Sequence, residues 1–311
     1  MNILVTGGAG FIGSHLCDTL LAEGHRVTVV DNLVLGCREN IAHLKNNSKF
    51  CFFEEDLLNM EPMRKIFSEG KFDMVYHLAA NSDIQKGGKD PQVDYALTFN
   101  TTFNVLMLMK EFEVKKLFFA STSAIFGEAS GKLNEDFGPL RPVSNYGAGK
   151  LASEAFISAF SSTYEIKTWI IRFPNVVGER FTHGVIFDFI RKLNDNPKEL
   201  EVLGNGEQCK PYIYVKDLIA GIQFVINNSC ERFNVYNLGT ASRTKVKEIA
   251  NMTIEEMGLD ATIRYTGGDR GWVGDVPEFS YDLSKVNTLG WNDPKTSNEA
   301  VRLAIQKALR K

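Results

Sequence analysis

With 311 residues, 44% of them hydrophobic and 23% charged, the chain is long enough to bury a large core in one or two domains. A formal net charge of −3 argues against nucleic acid or a membrane surface as partner, and no apolar run reaches the roughly 18 residues a membrane helix needs. Five scattered cysteines (Cys17, Cys37, Cys51, Cys209, Cys230) and scattered histidines give no disulfide framework and no metal-ligand spacing. Met1-Asn2-Ile3-Leu4-Val5 carries no basic leader, so a cytoplasmic protein without a metal is expected.

In chain order, Ile3-Leu4-Val5 reads as a strand and Phe11 to Glu23 as a helix. Val27 to Val30, Phe50 to Phe53 and Met74 to Leu78 are further apolar runs. Val93 to Phe112 is helical, Leu117 to Ala120 a strand, the stretch from Tyr146 a helix with Leu151, Ala155 and Ala159 on one stripe, and Thr168 to Ile171 a strand. Continuous apolar strands between helices mean an α/β fold with a doubly wound parallel sheet, covered on both faces. Beyond Arg172 the rhythm becomes irregular, with turns at Gly204-Asn205-Gly206 and Gly267-Gly268. We expect residues 1–172, plus about 209–240, to form the sheet domain, with Pro211 to Val225 returning to the main sheet. Residues 173–208 and 241–311 would form a smaller C-terminal substrate lobe.

Gly7, Gly10 and Gly13 follow the first strand and open the first helix, in Thr6-Gly7-Gly8-Ala9-Gly10-Phe11-Ile12-Gly13. A pyrophosphate needs a sharp turn, backbone N–H groups brought close, and a helix N-terminus beneath it. Glycine, having no Cβ, permits the first two. The setting between strand and helix marks a Rossmann dinucleotide site. Asp31 ends the second strand 18 residues past Gly13. Its carboxylate can accept from both ribose hydroxyls and repels a 2′-phosphate, so NAD is expected over NADP. Asp56-Leu57 could meet the adenine ring, and Asp56 is equally readable as a turn aspartate.

Three copies of YxxxK occur, starting at Tyr146, Tyr212 and Tyr281. Tyr212 lies in a strand-like alternation, where residues four apart are roughly 13 Å apart. In a helix the same spacing rises only about 6 Å along one face. Tyr146 opens a helix and follows the hydroxyl cluster Ser121-Thr122-Ser123 at a strand's C-terminal end, where ligands bind in open parallel sheets. A tyrosine acting as base near neutral pH needs its pKa of about 10 lowered. An ammonium at about 4 Å can do this at an effective dielectric of 20. Lys150 is expected to supply that charge, and Thr122 to hold the substrate oxygen. Gly147 and Gly149 suggest a backbone that must approach a ligand.

The chain resembles the extended short-chain dehydrogenases/reductases. The likeness is carried by Thr6 to Gly13, Asp31-Asn32-Leu33, His77-Leu78-Ala79-Ala80, Asn100, Ser121 to Gly127, Tyr146…Lys150, Arg172 to Gly178, Tyr212 to Asp217 and Gly274-Asp275-Val276-Pro277, and it spans nearly the whole chain. The resemblance is to nucleotide-sugar epimerases of the UDP-glucose 4-epimerase type. It implies tightly held, recycled NAD and a transient 4-keto sugar. It also implies cofactor contacts from Phe11, Ile12, Asn32, Leu78, Ala79, Ala80 and Asn100. Substrate contacts are implied for Ser123, Asn175, Lys210 and Arg270.

Relatives that dehydrate, decarboxylate or isomerise neighbouring carbons carry an acid or a cysteine just past the catalytic hydroxyl. Here those places hold Ser123 and Ala124, which suits C4 epimerisation of UDP-glucose and UDP-galactose. A dehydratase, decarboxylase or ketoreductase of the same fold is the alternative, and a non-catalytic dinucleotide sensor is another. Phe126 replaces the usual Tyr, Gly149 a Ser or Thr, and Lys210 an arginine. Trp272 falls where another arginine is expected, two residues past Arg270. Four residues beyond Asp275, Phe279 would wall off the sugar's 2-substituent or sit in the core. The family also implies a homodimer through apolar stripes at Phe99, Phe103 and Met107 and at Phe156 and Phe160, which could equally be core.

Overall fold

The computed structural model describes residues 1–129, 131–271, 276–292 and 295–310. Seven strands form one sheet: β1 (Asn2–Thr6), β2 (Arg26–Asp31), β3 (Phe50–Glu54), β4 (Met74–His77), β5 (Lys116–Thr122), β6 (Lys167–Phe173) and β7 (Phe233–Asn237). Their order is β7-β6-β5-β4-β1-β2-β3, and β1 pairs parallel with both β2 and β4. The chain therefore winds outward in both directions from the β1/β4 boundary. That boundary is the topological switch point of the sheet, the place where open parallel sheets bind ligands beyond the C-terminal ends of their strands.

Both faces of the inner strands are buried, as their unbroken apolar runs demand, while the edge strand β3 stays partly exposed. On one face Leu4, Val75, Phe119 and Ile170 pack with Phe67, Val105, Met109 and Ile157 from the helices Met60–Gly70, Thr101–Glu111 and Asn145–Tyr164. Helix Phe11–Ala22 buries Leu16, Cys17 and Leu20. Each such buried side chain contributes about 1.5–3 kcal/mol of transfer free energy.

Two compact units result. The first comprises Met1–Ile125, Arg141–Arg172 and Ile226–Tyr236; the second comprises Phe126–Leu140, Phe173–Val225 and Asn237–Lys311. The return to the main sheet is made by β7 and not by the expected stretch from Pro211 to Val225. Tyr212–Tyr214 instead pairs with Asn175–Val177 inside the second unit. Residues 126–140 also lie in the second unit, where Lys132–Leu133 pairs with Ser280–Tyr281. Two more strand pairs, Glu199–Val202 with Thr262–Tyr265 and Cys209–Lys210 with Thr244–Lys245, complete this unit's small sheets.

The long helix expected from Val93 to Phe112 is three pieces: Pro91–Asp94, a π-helical turn Tyr95–Asn100, and Thr101–Glu111. A single wide turn inserts an extra residue and rotates the helix face that follows it.

Candidate active site

The glycine loop sits where β1 meets β4. Gly7 has φ of 72°, a left-handed conformation, and a Cβ there would lie 2.7 Å from the backbone nitrogen of Ala79. The close passage of the two loops thus requires glycine. Helix Phe11–Ala22 follows Gly10, which has no side chain to cap it, so no cap side chain stands over its N-terminus. Gly7, Gly10, Phe11 and Ile12 are half-buried along this loop, and Gly13 is buried under it. An uncapped helix start behind a side-chain-free cradle fits a pyrophosphate.

Asp31 is buried against the same loop. Its Oδ2 accepts from the Ala9 N–H at 3.0 Å and its Oδ1 from the Leu33 N–H at 2.9 Å. Burial raises its pKa, and these backbone donors oppose the rise. Asn32 Nδ2 donates to Asp56 Oδ2 at 2.9 Å, while Asp56 Oδ1 accepts from the Leu58 N–H at 2.8 Å. Asp56 therefore shapes its turn, as a turn aspartate does, and also holds Asn32, the residue after Asp31. Leu57 is buried, Leu78, Ala79 and Ala80 are half-buried beyond β4, and Asn100 closes the π-helical turn half-buried.

Helix Asn145–Tyr164 carries the tyrosine and lysine. Its cap is Ser144, whose hydroxyl accepts from the Gly147 N–H at 3.1 Å, so Tyr146 does no capping. Tyr146 is half-buried and bonded to Thr122, the last residue of β5. Thr122 Oγ1 also accepts from the Ala124 N–H at 3.1 Å, which pins the turn Ser123–Phe126. Lys150 is 2% exposed; its Nζ donates to the Ala120 carbonyl at 2.7 Å and lies 4.6 Å from the Phe119 ring centre.

Three expectations change here. Lys150 Nζ is 6.0 Å from the Tyr146 ring centre and is turned to Ala120. In the chain's own field, burial pushes the Tyr146 phenol up to about 12, against the pull of the Thr122 hydrogen bond. Burial also draws Lys150 down to about 7, opposed by Glu154. Lys150 Nζ is thus anchored on the Ala120 carbonyl and not on the phenol. Lastly, Gly147 and Gly149 serve packing between protein segments. A Cβ on Gly147 would crowd the Ala124 carbonyl oxygen, and one on Gly149 would lie 3.2 Å from Thr98 Cγ2.

Several residues here were not singled out from sequence. His77, buried at the end of β4, bonds through Nδ1 to Thr6 Oγ1 at 2.7 Å and through Nε2 to Thr102 Oγ1 at 3.0 Å. The Thr102 hydroxyl donates to the Thr98 carbonyl at 2.7 Å, so it accepts from His77, which is neutral with its proton on Nε2. Burial, and secondarily the Lys150 charge, lowers the His77 pKa to about 3. Asp94, also buried, accepts from Asn81 Nδ2 at 2.8 Å. Ordinary histidine and aspartate spacing gives no hint of either.

Of the residues expected to meet the nucleotide sugar, Thr122, Ser123 and Tyr146 lie in the first unit and Asn175, Lys210, Arg270 and Phe279 in the second. Asn175 is exposed at the head of its strand, and Lys210 is half-buried in the pair Cys209–Lys210 with Thr244–Lys245. Arg270 Nη1 pairs with Glu128 Oε1 at 2.6 Å. Phe279 is 7% exposed with its ring centre 5.6 Å from that of Tyr281, and Tyr281 continues to Phe126 at 6.2 Å. Trp272, Gly274 and Asp275 lie outside the described residues. Among the described residues no group of three or more His, Cys, Asp or Glu could hold a metal ion, and no helix is long and apolar enough to cross a membrane.

The family model "NAD dependent epimerase/dehydratase family" matches residues 3–239. A putative UDP-glucose 4-epimerase of Methanocaldococcus jannaschii is 31% identical over 308 residues, covering 97% of each chain. The crystal structure of a UDP-galactose 4-epimerase is 34% identical, with a TM-score of 0.88 over 99% of this chain and 98% of that one. A UDP-glucuronic acid 4-epimerase from Bacillus cereus, in complex with UDP-glucuronic acid and NAD, is 29% identical with a TM-score of 0.88 over 99% of both chains. With the glycine cradle, Asp31 and the Tyr146–Lys150 helix in place, the chain belongs to the NAD-dependent epimerase/dehydratase family, as a nucleotide-sugar epimerase of the UDP-glucose 4-epimerase type.

Proposed function

We propose that the chain interconverts UDP-glucose and UDP-galactose by inverting C4. The observation that carries this reading is the turn after Thr122. Ser123 and Ala124 bear no acid or base, and Ala124 offers its N–H to Thr122. Moving a proton at C3, C5 or C6 requires such a group. A site limited to the O4 proton suits redox at one carbon.

The residues divide the work as follows. Thr122 holds the sugar's O4 beside the Tyr146 hydroxyl. Tyr146 takes the O4 proton on oxidation and gives it back on reduction. The glycine cradle and Asp31 would hold NAD, which when bound would supply a hydride acceptor and donor for C4 and a positive ring charge that would favour Tyr146 as base. Lys150, anchored on Ala120, fixes the lower end of this arrangement. Asn175, Lys210 and Arg270 are proposed to meet the nucleotide diphosphate. Phe279, its ring fixed against Tyr281, is proposed to limit the sugar's 2-substituent. Overpacking costs typically 1–3 kcal/mol, so UDP-galactose should be favoured over its N-acetylamino counterpart by about 5- to 150-fold.

A second copy of the chain is the proposed partner. Tyr95 is 57% exposed and Phe156 40% exposed, and Phe156 lies 5.4 Å from both Phe99 and Phe103. Phe160, by contrast, belongs to the core. Light scattering of Phe156→Glu should show monomer where the wild type is dimeric.

The reading is tested by incubating the protein with UDP-glucose, UDP-galactose, UDP-glucuronate and UDP-N-acetylgalactosamine. Product of equal mass from the first pair, formed faster than from the others, supports it. Loss of water or carbon dioxide would reassign the enzyme as a dehydratase or decarboxylase.

A further inference from the structure

We propose that Glu154 is a positioning residue for the reaction: clamped by Arg172 and Ser121 one helical turn beyond Lys150, it keeps Lys150 charged. The geometry comes from three elements of the first unit. Strand β5 supplies the Ala120 carbonyl, which holds Lys150 Nζ at 2.7 Å, and the Ser121 hydroxyl, which donates to Glu154 Oε1. Helix Asn145–Tyr164 places Lys150 and Glu154 four residues apart, hence on one face. Strand β6 supplies Arg172, whose Nε reaches Glu154 Oε1 at 3.1 Å and whose Nη2 reaches Oε2 at 2.7 Å.

All three charged groups are buried, Lys150 at 2%, Glu154 at 6% and Arg172 at 6% exposure. A buried ammonium loses its hydration and tends to shed its proton. Its carbonyl partner is a dipole and cannot replace a counter-ion. His77 beside it is neutral, and Tyr146 is protonated. Asp94 acts on Tyr146, and Arg172, across the carboxylate, would only repel. Glu154 is the carboxylate that favours the charged lysine, consistent with the direction in which it moves the Lys150 pKa. The two hydrogen bonds donated by Arg172 and the one from the Ser121 hydroxyl satisfy both carboxylate oxygens. They stop Glu154 from rotating toward Lys150 and neutralising it by proton transfer. An ordinary buried ion pair would need only Arg172, whereas this carboxylate is also tied to the strand that carries the lysine's own anchor.

The inference rests on Lys150 being part of the catalytic pair, and its test reads the lysine itself. Protein labelled with carbon-13 at lysine Cε is titrated by NMR, with Lys150→Met identifying the resonance. The wild-type lysine should titrate near 7. Since E154Q removes the carboxylate charge that faces Arg172, E154Q/R172Q is measured beside it, with circular dichroism reporting the fold. Both should titrate at lower pH than wild type, the double variant less displaced, and E154D should restore the wild-type value. In kcat–pH profiles, each unit by which the lysine falls removes about tenfold of activity on the alkaline side. A role confined to stability would lower the melting temperature and leave the titration unmoved. An unshifted Lys150 in folded E154Q/R172Q overturns the proposal. Absence of sugar turnover in the wild type would overturn the function assigned above and leave this titration intact.

Discussion

His77 should make the protein acid-sensitive by an amount that can be isolated. Its folded pKa is about 3 against an ordinary 6.5. Because the folded value is depressed, the unfolded chain binds the proton and the native state does not between these limits. Stability is therefore lost as pH falls below 6.5 and keeps falling until about 3. At pH 5 the unfolded histidine is about 1.5 units below its pKa and the native one still neutral. At 1.36 kcal/mol per unit this costs about 2 kcal/mol relative to pH 7.5, rising toward about 5 kcal/mol at pH 3. His77→Asn offers a donor and an acceptor to Thr6 and Thr102 without a titrating ring. Its own lower stability, from the smaller side chain, is independent of pH. Urea unfolding of both proteins at pH 5 and 7.5, followed by circular dichroism, gives the difference of differences, in which Asp31 and Asp94 cancel. Wild type should lose about 2 kcal/mol more than the variant. Parallel losses in the two proteins would refute the neutral, buried state of His77.

Tyr146→Phe should lose about 10²- to 10⁴-fold in kcat while still binding NAD, because the glycine cradle and Asp31 hold it independently; near-normal turnover in stopped assays would remove Tyr146 from the chemistry. Asp31→Ser should weaken NAD binding by about 10- to 150-fold through loss of hydrogen bonds to a charged acceptor. It should also admit NADP, and calorimetry showing equal NAD and NADP binding in cofactor-free wild type would contradict the role given to the carboxylate. Phe279→Ala should cost about 3–5 kcal/mol of stability, since the ring is buried against Tyr281; a melting temperature equal to wild type would show that the ring is not packed.

The nucleotide half of the site is legible in sequence because its demands fall on residue types. A left-handed turn at which a Cβ would lie 2.7 Å from the Ala79 nitrogen calls for Gly7, and an acid at a strand end is visible as Asp31. The position of Tyr146 is legible from the apolar stripe Leu151, Ala155 and Ala159 that follows it and the hydroxyl cluster Ser121-Thr122-Ser123 that precedes it. What was not legible depends on chain distant in sequence. Glu154 meets Arg172 and Ser121, 18 and 33 residues away, and nothing local marks it. The π-helical turn at Tyr95–Asn100 hides because apolar residues on both sides of it keep a helical spacing, so the one-residue insertion between them leaves no local mark. Strand β7 was missed because it lies at the sheet edge. There Phe233-Asn234-Val235-Tyr236-Asn237 mixes polar and apolar residues where an inner strand would be continuously apolar. Gly147 and Gly149 were read as facing a ligand because sequence shows a missing side chain but not what fills the space.

Confinement of the chemistry to C4 is tested most directly by isotope. UDP-galactose deuterated at C4 is incubated in ordinary water, and unlabelled UDP-galactose in deuterium oxide, each with purified protein and no added NAD. Proton NMR should show UDP-glucose that keeps the label at C4 in the first case and gains none at any carbon in the second. Label lost from C4 to solvent, or solvent deuterium appearing at C3 or C5, would contradict a site whose only proton transfer is at O4 through Tyr146.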